Sequence, residues 1–249
     1  DSVARLYERC GYQVAREFYI NDRGIQMQNF AASLAARAGG REVADDGYHG
    51  HYIVDWAAEM PIDADPLEWG YARALAAHQS VLESLSIHFD TWFSERSMMA
   101  SGAIDQTLAD LQVAGAVYEE DGAVWLRSSE HGDDKDRVLI KGNGEPTYLM
   151  PDVAYHRDKF GLADLLVNVF GADHHGYVAR MHAAMALLGH DPGDLEIAIT
   201  QLVSLQRDGQ EVRLSKRTGE MVELTEVVDE VGADAARFTY LLLSVDSPQ

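Results

Sequence analysis

The segment from Tyr148 onward constrains the fold most, because its hydrophobic rhythm switches repeatedly between helical and extended periods. It reads as a helix over 152–160, a buried strand over 165–170, a glycine-containing loop, a helix over 177–188 and a strand over 196–205. Strands that alternate with helices in this way run parallel, since each return crosses the sheet through the helix. The predicted architecture is therefore α/β with a parallel sheet. Upstream, a helix ending at Gly11 precedes an extended stretch from Gln13 to Ile20, which Asn21-Asp22-x-Gly24 breaks. Met27, Phe30, Ala31 and Leu34 recur at helical spacing from Ile25 to about Arg37, and Gly39 and Gly40 supply a stop. The stretch from about 41 to 63 reads as irregular and aromatic. A long helix follows Pro66, another covers 104–114, and Ala116 to Arg127 predicts a hairpin turning through Glu120, Asp121 and Gly122. These elements suggest two parts of one nucleotide-binding α/β domain, 1–40 and 136–249, separated by a mixed α+β insertion over 41–135.

A chain of 249 residues can bury a sizeable core, and no apolar run is long enough to span a bilayer. The single cysteine, Cys10, cannot form an internal disulfide, and the first residues lack a secretory pattern, so a reducing cytoplasm is expected. A net charge of −21 argues against general binding of phosphate backbones, which leaves only local nucleic-acid contacts. All four lysines (Lys135, Lys141, Lys159, Lys216) lie in the second half, and Arg213, Lys216 and Arg217 cluster against the acidic background. Such a cluster is either a site for a polyanion or solvated surface charge.

Two stretches carry candidate chemistry. In Val-Phe-Gly-Ala-Asp-His-His-Gly at 169–176, an apolar strand runs into a polar loop and then a helix, the place where parallel sheets hold ligands. Gly171 would let a nucleotide approach, Asp173 could bond ribose hydroxyls, and the helix start offers free N–H groups. Two alternatives stand beside this: Asp173 caps the helix, or Asp173, His174 and His175 bind a metal. The second stretch, Val-Arg-Leu-Ser-Lys-Arg-Thr-Gly at 212–219, is a cationic loop. Ammonium and guanidinium groups there would neutralise charge building on pyrophosphate as it leaves ATP, with Lys216 foremost.

The segment Arg213-Leu214-Ser215-Lys216-Arg217 resembles the KMSKS signature of class I aminoacyl-tRNA synthetases, one βαβ step after the Gly-Ala-Asp-His loop. Further stretches narrow the resemblance to the arginyl enzymes: Arg16-Glu17-Phe18-Tyr19-Ile20-Asn21-Asp22-x-Gly24-x-Gln26, Phe89-Asp90-x-Trp92-Phe93-Ser94-Glu95, Gly132-Asp133-Asp134-Lys135-Asp136-Arg137, and Thr147-Tyr148-Leu149-x-Pro151-Asp152-x-Ala154-Tyr155-His156. The resemblance implies a class I Rossmann-like catalytic domain with a connective insertion, and an arginine-tRNA ligase. It assigns Tyr148 and Asp152 to the substrate arginine, with His174 beside the guanidinium and Asn21, Asp22 and Gln26 where the first part of the sheet meets the pocket, although turn and cap roles explain an Asn-Asp-x-Gly equally well. Gly171, Asp173, His175 and Val203 fall on the ATP side, and Lys216, Ser215, Arg213 and Arg217 on the catalytic loop. A planar five-donor cation suits a carboxylate fork, and residues one helical turn apart can share a pocket. Without the family context, Tyr148 would be a core residue and Asp152 an N-cap. The implied partners are arginine, ATP with Mg²⁺ on its phosphates, and tRNA(Arg), with no tightly bound metal, no membrane and a monomeric state.

The family's HIGH motif, expected just before Asp1, is absent, as are the strand leading into it, the helical anticodon-binding domain and the N-terminal tRNA-elbow domain. That strand would lie between the strand at 13–20 and the one at 165–170, so its loss leaves two unpaired edges. Arg213 and Leu214 replace Lys and Met. The expectation is a part of a longer polypeptide, inactive in ATP–pyrophosphate exchange when isolated; a natural short paralogue is the alternative. Two other functions compete: a synthetase-like binding module without chemistry, and a metal-dependent hydrolase built on Asp173, His174 and His175.

Overall fold

In the computed structural model, residues 1–201, 206–207, 210–211 and 223–242 are described, with the backbone alone at Asp173, His175, 206–207 and 210–211. In chain order the elements are α1 (Ser2–Arg9), β1 (Glu17–Ile20), α2 (Ile25–Ala38), α3 (His51–Glu59), α4 (Pro66–Ser84), β2 (Thr91–Ser94), α5 (Glu95–Ser101) and α6 (Ala103–Val113). Then come β3 (Val117–Glu120), β4 (Ala123–Leu126), β5 (Arg137–Ile140), α7 (Leu149–Phe160), β6 (Leu166–Gly171), α8 (Val178–Leu187) and β7 (Leu195–Thr200). The two-residue strands β8 (Gln206–Arg207) and β9 (Gln210–Glu211) precede α9 (Leu224–Val231) and α10 (Ala233–Tyr240). The chain divides into two compact units, 1–96 with 204–243 and 97–203 with 244–249.

In the first unit β1 pairs in parallel with β2, Glu17 opposite Thr91 through Ile20 opposite Ser94. The expected extended stretch over 13–20 is strand only from Glu17. Asp65 caps α4, its side chain accepting from Leu67 N at 2.8 Å and Glu68 N at 3.0 Å, and Pro66 takes the first helical position, where a missing N–H costs nothing. The stretch expected to be irregular holds α3. Ile53 and Ala57, one turn apart, are buried with Phe30 and Leu34 of α2, and Tyr48, Tyr52 and Trp56 pack around them. Tertiary burial of that narrow stripe stabilises a helix whose start, Gly50, makes no side-chain cap.

In the second unit β3, β4 and β5 form an antiparallel sheet. The β3–β4 hairpin turns through Asp121 (φ 50°) and Gly122 (φ 74°), both in the left-handed region that a two-residue hairpin turn requires. β6 and β7 pair in parallel, Leu166 opposite Leu195 through Gly171 opposite Thr200. The protein is thus α/β with parallel ladders, one in each unit. The strand expected to be buried over 165–170 is not buried throughout, since Val169 is 63% exposed and the buried position beside it is polar Asn168. The helix expected over 152–160 begins three residues earlier, at Leu149. The next one starts at Val178, after a 3-10 turn over Ala172–Tyr177. No helix among the described residues is long and apolar enough to cross a membrane.

Candidate functional site

Helix α7 opens on Tyr148, and Pro151 sits in its first turn, where its missing N–H is tolerated. Leu149, Met150, Val153 and Ala154 point into the core, which fixes the rotation of the helix. Asp152 lies in the same first turn, where a negative charge faces the positive end of the helix dipole. Its Oδ2 accepts from the Tyr177 hydroxyl. Burial pushes the Asp152 carboxyl above its ordinary range, against opposing effects of the Tyr177 bond and of nearby His174 and Lys159. A carboxylate pressed toward protonation in this way gains from a cation brought to it, because the cation restores the interactions lost with water.

The loop after β6 supplies the partners. The His174 ring stands edge-on to Tyr177 at 6.0 Å and lies 5.2 Å from Phe170. The Arg180 guanidinium sits over the Tyr177 ring, 5.2 Å from its centroid. Behind the helix, Lys159 Nζ donates to Asn168 Oδ1 at 2.5 Å, the Asn168 amide nitrogen meets His156 Nε2, and His156 Nδ1 reaches the backbone carbonyl of Asp152 at 2.7 Å. Burial, and then the Lys159 charge, lower the His156 pKa to about 3, so the ring is neutral.

The structure brings Asp152 and His174 together with Tyr177. Tyr148 is 95% exposed, which overturns its reading as a core residue. Asp152 is no N-cap, because the cap position is Tyr148 and the Asp152 carboxylate is taken by a tyrosine 25 positions away. Asn21 and Gln26 are exposed residues of the first unit. Their neighbour Asp22 is buried and accepts from Ser94 Oγ at 2.5 Å and Arg96 N at 2.8 Å, so it ties the end of β1 to the start of α5. Gly171 closes β6 with φ −71°, a conformation open to any residue. Asp173 does not occupy the N-cap of α8, which is Tyr177. The side chains of Asp173 and His175 lie outside the description, as do Val203, Arg213, Ser215, Lys216 and Arg217. Among the described residues no group of three His, Cys, Asp or Glu side chains is arranged to hold a metal ion.

Sequence reasoning missed Tyr177, Asn168 and Lys159. Asn168 carried a signal: a polar residue inside Leu-Val-Asn-Val-Phe must find partners when buried. A cleft of about 640 Å³ between α6 and the end of α7 is lined by Asp110, Arg157, Phe160, Leu188 and His190 and does not include Asp152. Its arginine is already held by Asp110 at 2.5 Å and Asp158 at 3.1 Å.

Residues 73–239 match the family described as tRNA synthetases class I (R), catalytic domain. Among curated relatives, an arginine–tRNA ligase of Frankia alni is 45% identical over 99% of this chain and 48% of its own length. One of Moorella thermoacetica is 43% identical over 99% of this chain and 48% of its length. A Campylobacter jejuni structure described as an arginyl-tRNA synthetase superposes with a TM-score of 0.87 at 35% identity, covering 99% of this chain and 58% of that one. The Thermus thermophilus arginyl-tRNA synthetase gives a TM-score of 0.71 at 20% identity over 100% of this chain and 50% of that one, a likeness of fold. The chain spans about half the length of the curated relatives it matches.

Proposed function

Because this chain belongs to the family of class I arginyl-tRNA synthetase catalytic domains, we propose that the polypeptide carrying it activates arginine with ATP and transfers the arginyl group to tRNA(Arg). The single observation that supports arginine as substrate is the half-buried Asp152 carboxylate with Tyr177 on one oxygen. Burial there penalises an uncompensated anion, and a guanidinium fork compensates it with two parallel N–H donors. Tyr148 and His174 complete the arginine side of our reading, with Asn21 and Gln26 contributed by the segment after β1.

In the first step the arginine carboxylate attacks the α-phosphate of ATP, giving arginyl-adenylate and pyrophosphate. ATP enters with Mg²⁺ on its phosphates. We assign Gly171, Asp173, His175 and Val203 to the nucleotide, and Lys216 with Arg213, Ser215 and Arg217 to the charge that accumulates on the leaving pyrophosphate. In the second step the 2′-hydroxyl of the terminal adenosine takes the arginyl group from the adenylate, releasing AMP. Positioning carries most of this rate, since both steps join reactants that the site holds side by side.

The connective insertion was expected over 41–135. We assign the connective role to the part that follows β2, because β2 pairs with β1 in the first unit. A monomer in the cytoplasm completes the proposal. The test is arginine-dependent ATP–pyrophosphate exchange, with tRNA present, in the complete polypeptide. Asp152→Ala is expected to raise the KM for arginine about a hundredfold while leaving that for ATP within about threefold. Equal losses for both substrates would remove the guanidinium role.

A further inference from the structure

The reading just proposed gives Tyr177 no role of its own, yet this residue touches the specificity carboxylate directly. Its hydroxyl donates to Asp152 Oδ2 across 25 positions of sequence. The terminal torsion of an aspartate is soft, so a carboxylate without such a tether samples many orientations of its plane. Bidentate recognition of a guanidinium demands one orientation.

Tyr177 is itself held. Arg180 of α8 lies over its ring at 5.2 Å, and the side chain of Arg180 is 24% exposed. The Arg180 Nε is buried and, among the described residues, has no hydrogen-bond partner; it lies 3.9 Å from Asp133 Oδ2. Asp133, with only 2% of its side chain exposed, is gripped by Arg137 through two bonds of 2.7 Å. A continuous series of contacts therefore leads from the Gly132–Arg137 stretch through Arg180 and Tyr177 to Asp152.

Resting on the reading of Asp152 as the arginine carboxylate, we propose that Tyr177 is a positioning residue: its hydroxyl fixes the plane of the Asp152 carboxylate, and Arg180, stacked on the ring and drawn to Asp133, fixes Tyr177. Among the described residues, the charged and titratable groups acting on Asp152 are His174 and Tyr177 from the 3-10 turn and Lys159 from its own helix. Of the elements packed on α7, α8 presents Arg180 behind the tyrosine ring, α6 presents Asp110 to Arg157, and β5 presents Arg137 to Asp133. Tyr177 supplies a hydroxyl hydrogen bond to the ionised carboxylate. Its removal makes Asp152 keep its proton to higher pH, and the protonated form cannot pair with a guanidinium.

The test uses the complete polypeptide with tRNA, following arginine-dependent pyrophosphate exchange from acid to neutral pH. Tyr177→Phe is expected to raise the KM for arginine about tenfold with kcat and the KM for ATP within about twofold, and to move the acid limb of kcat/KM for arginine to higher pH. Arg180→Gln is expected to shift the same limb in the same direction by less, and to add nothing when combined with Tyr177→Phe. It also carries the test should Tyr177→Phe melt well below the parent protein. An acid limb that stays in place in both variants, while Asp152→Asn abolishes arginine use, overturns the positioning role and leaves the arginine assignment intact. Undiminished arginine affinity in Asp152→Asn overturns the assignment itself, and the positioning role with it.

Discussion

His156 Nδ1 lies 2.7 Å from the backbone carbonyl oxygen of Asp152, one turn earlier on α7. A carbonyl only accepts, so the ring proton is on Nδ1, and Nε2 is left to accept from the amide of Asn168. Lys159 makes that arrangement unique, because its ammonium at 2.5 Å requires the Asn168 oxygen to face it. The turn that presents Asp152 is thereby tied to β6 through a neutral histidine.

That histidine predicts a pH dependence of stability. The folded ring resists protonation down to about pH 3, whereas the unfolded ring takes a proton near 6.5. Its contribution is fully present above pH 6.5 and is lost progressively as pH falls toward 3. At about 1.4 kcal/mol per unit, roughly 2 kcal/mol should be lost between neutrality and pH 5. Urea midpoints at the two pH values measure it. His156→Gln is expected to flatten the dependence while costing about 1–3 kcal/mol at neutral pH, because Asn168 and Lys159 lose part of their network.

Asp152 shows the opposite sign. Its folded carboxyl holds a proton to higher pH than the unfolded value of 3.8, so the penalty is absent in strong acid and complete above the folded pKa. Asp152→Asn, which can still accept from Tyr177, is expected to leave neutral-pH stability equal or higher by up to about 1 kcal/mol while arginine use collapses. Thermal melts set beside exchange assays would reveal this opposition. A stability loss above about 2 kcal/mol would mean that the carboxylate serves the fold instead.

Asp133 and Arg137 form a two-bond ion pair in the second unit, with both bonds at 2.7 Å and side chains 2% and 16% exposed. Arg137 holds the Asp133 carboxyl well below the usual carboxylate range. The contribution is therefore present above pH 3.8 and lost as pH falls below it. Asp133→Ala is expected to cost about 3 kcal/mol in denaturant titration, since it takes the buried carboxylate from Arg180 and leaves Arg137 only the exposed Asp134. Adding Arg137→Ala should recover part of that loss.

Gly70 tests the packing of the first unit. A methyl group there would lie 2.5 Å from Leu34 Cδ1 and 2.9 Å from Phe30 Cε1. Alanine gains about 1 kcal/mol of helix propensity inside α4. Overpacking a core where Leu34 is fully buried costs about 1–3 kcal/mol. The sum favours glycine, and Gly70→Ala is expected to lower stability by about 1 kcal/mol in a thermal or urea titration.

Elements whose cause is local were legible from residues alone. Asp65-Pro66 starts α4, and Asp121-Gly122 turns the β3–β4 hairpin, because each acts within four residues of itself. The alternation after Tyr148 likewise announced the β6–β7 ladder. Helix α3 was missed because its buried stripe is only Ile53 and Ala57, and the aromatic residues flanking it blur the period. β2 was read as a motif and not as a strand, since four residues carry no periodicity and its partner β1 lies more than 70 positions away.

The residue types needed for the proposed chemistry, Asp152 above all, are fixed by the sequence, as is the α/β order of the elements that carry them. Tertiary structure decided which atoms meet: that Tyr148 stands in solvent, that Tyr177 claims Asp152, and that Lys159 orients Asn168 and through it His156. Side-chain pairing across sheet and helix depends on packing distances that no local pattern encodes, and burial then sets how strongly each charge needs its partner.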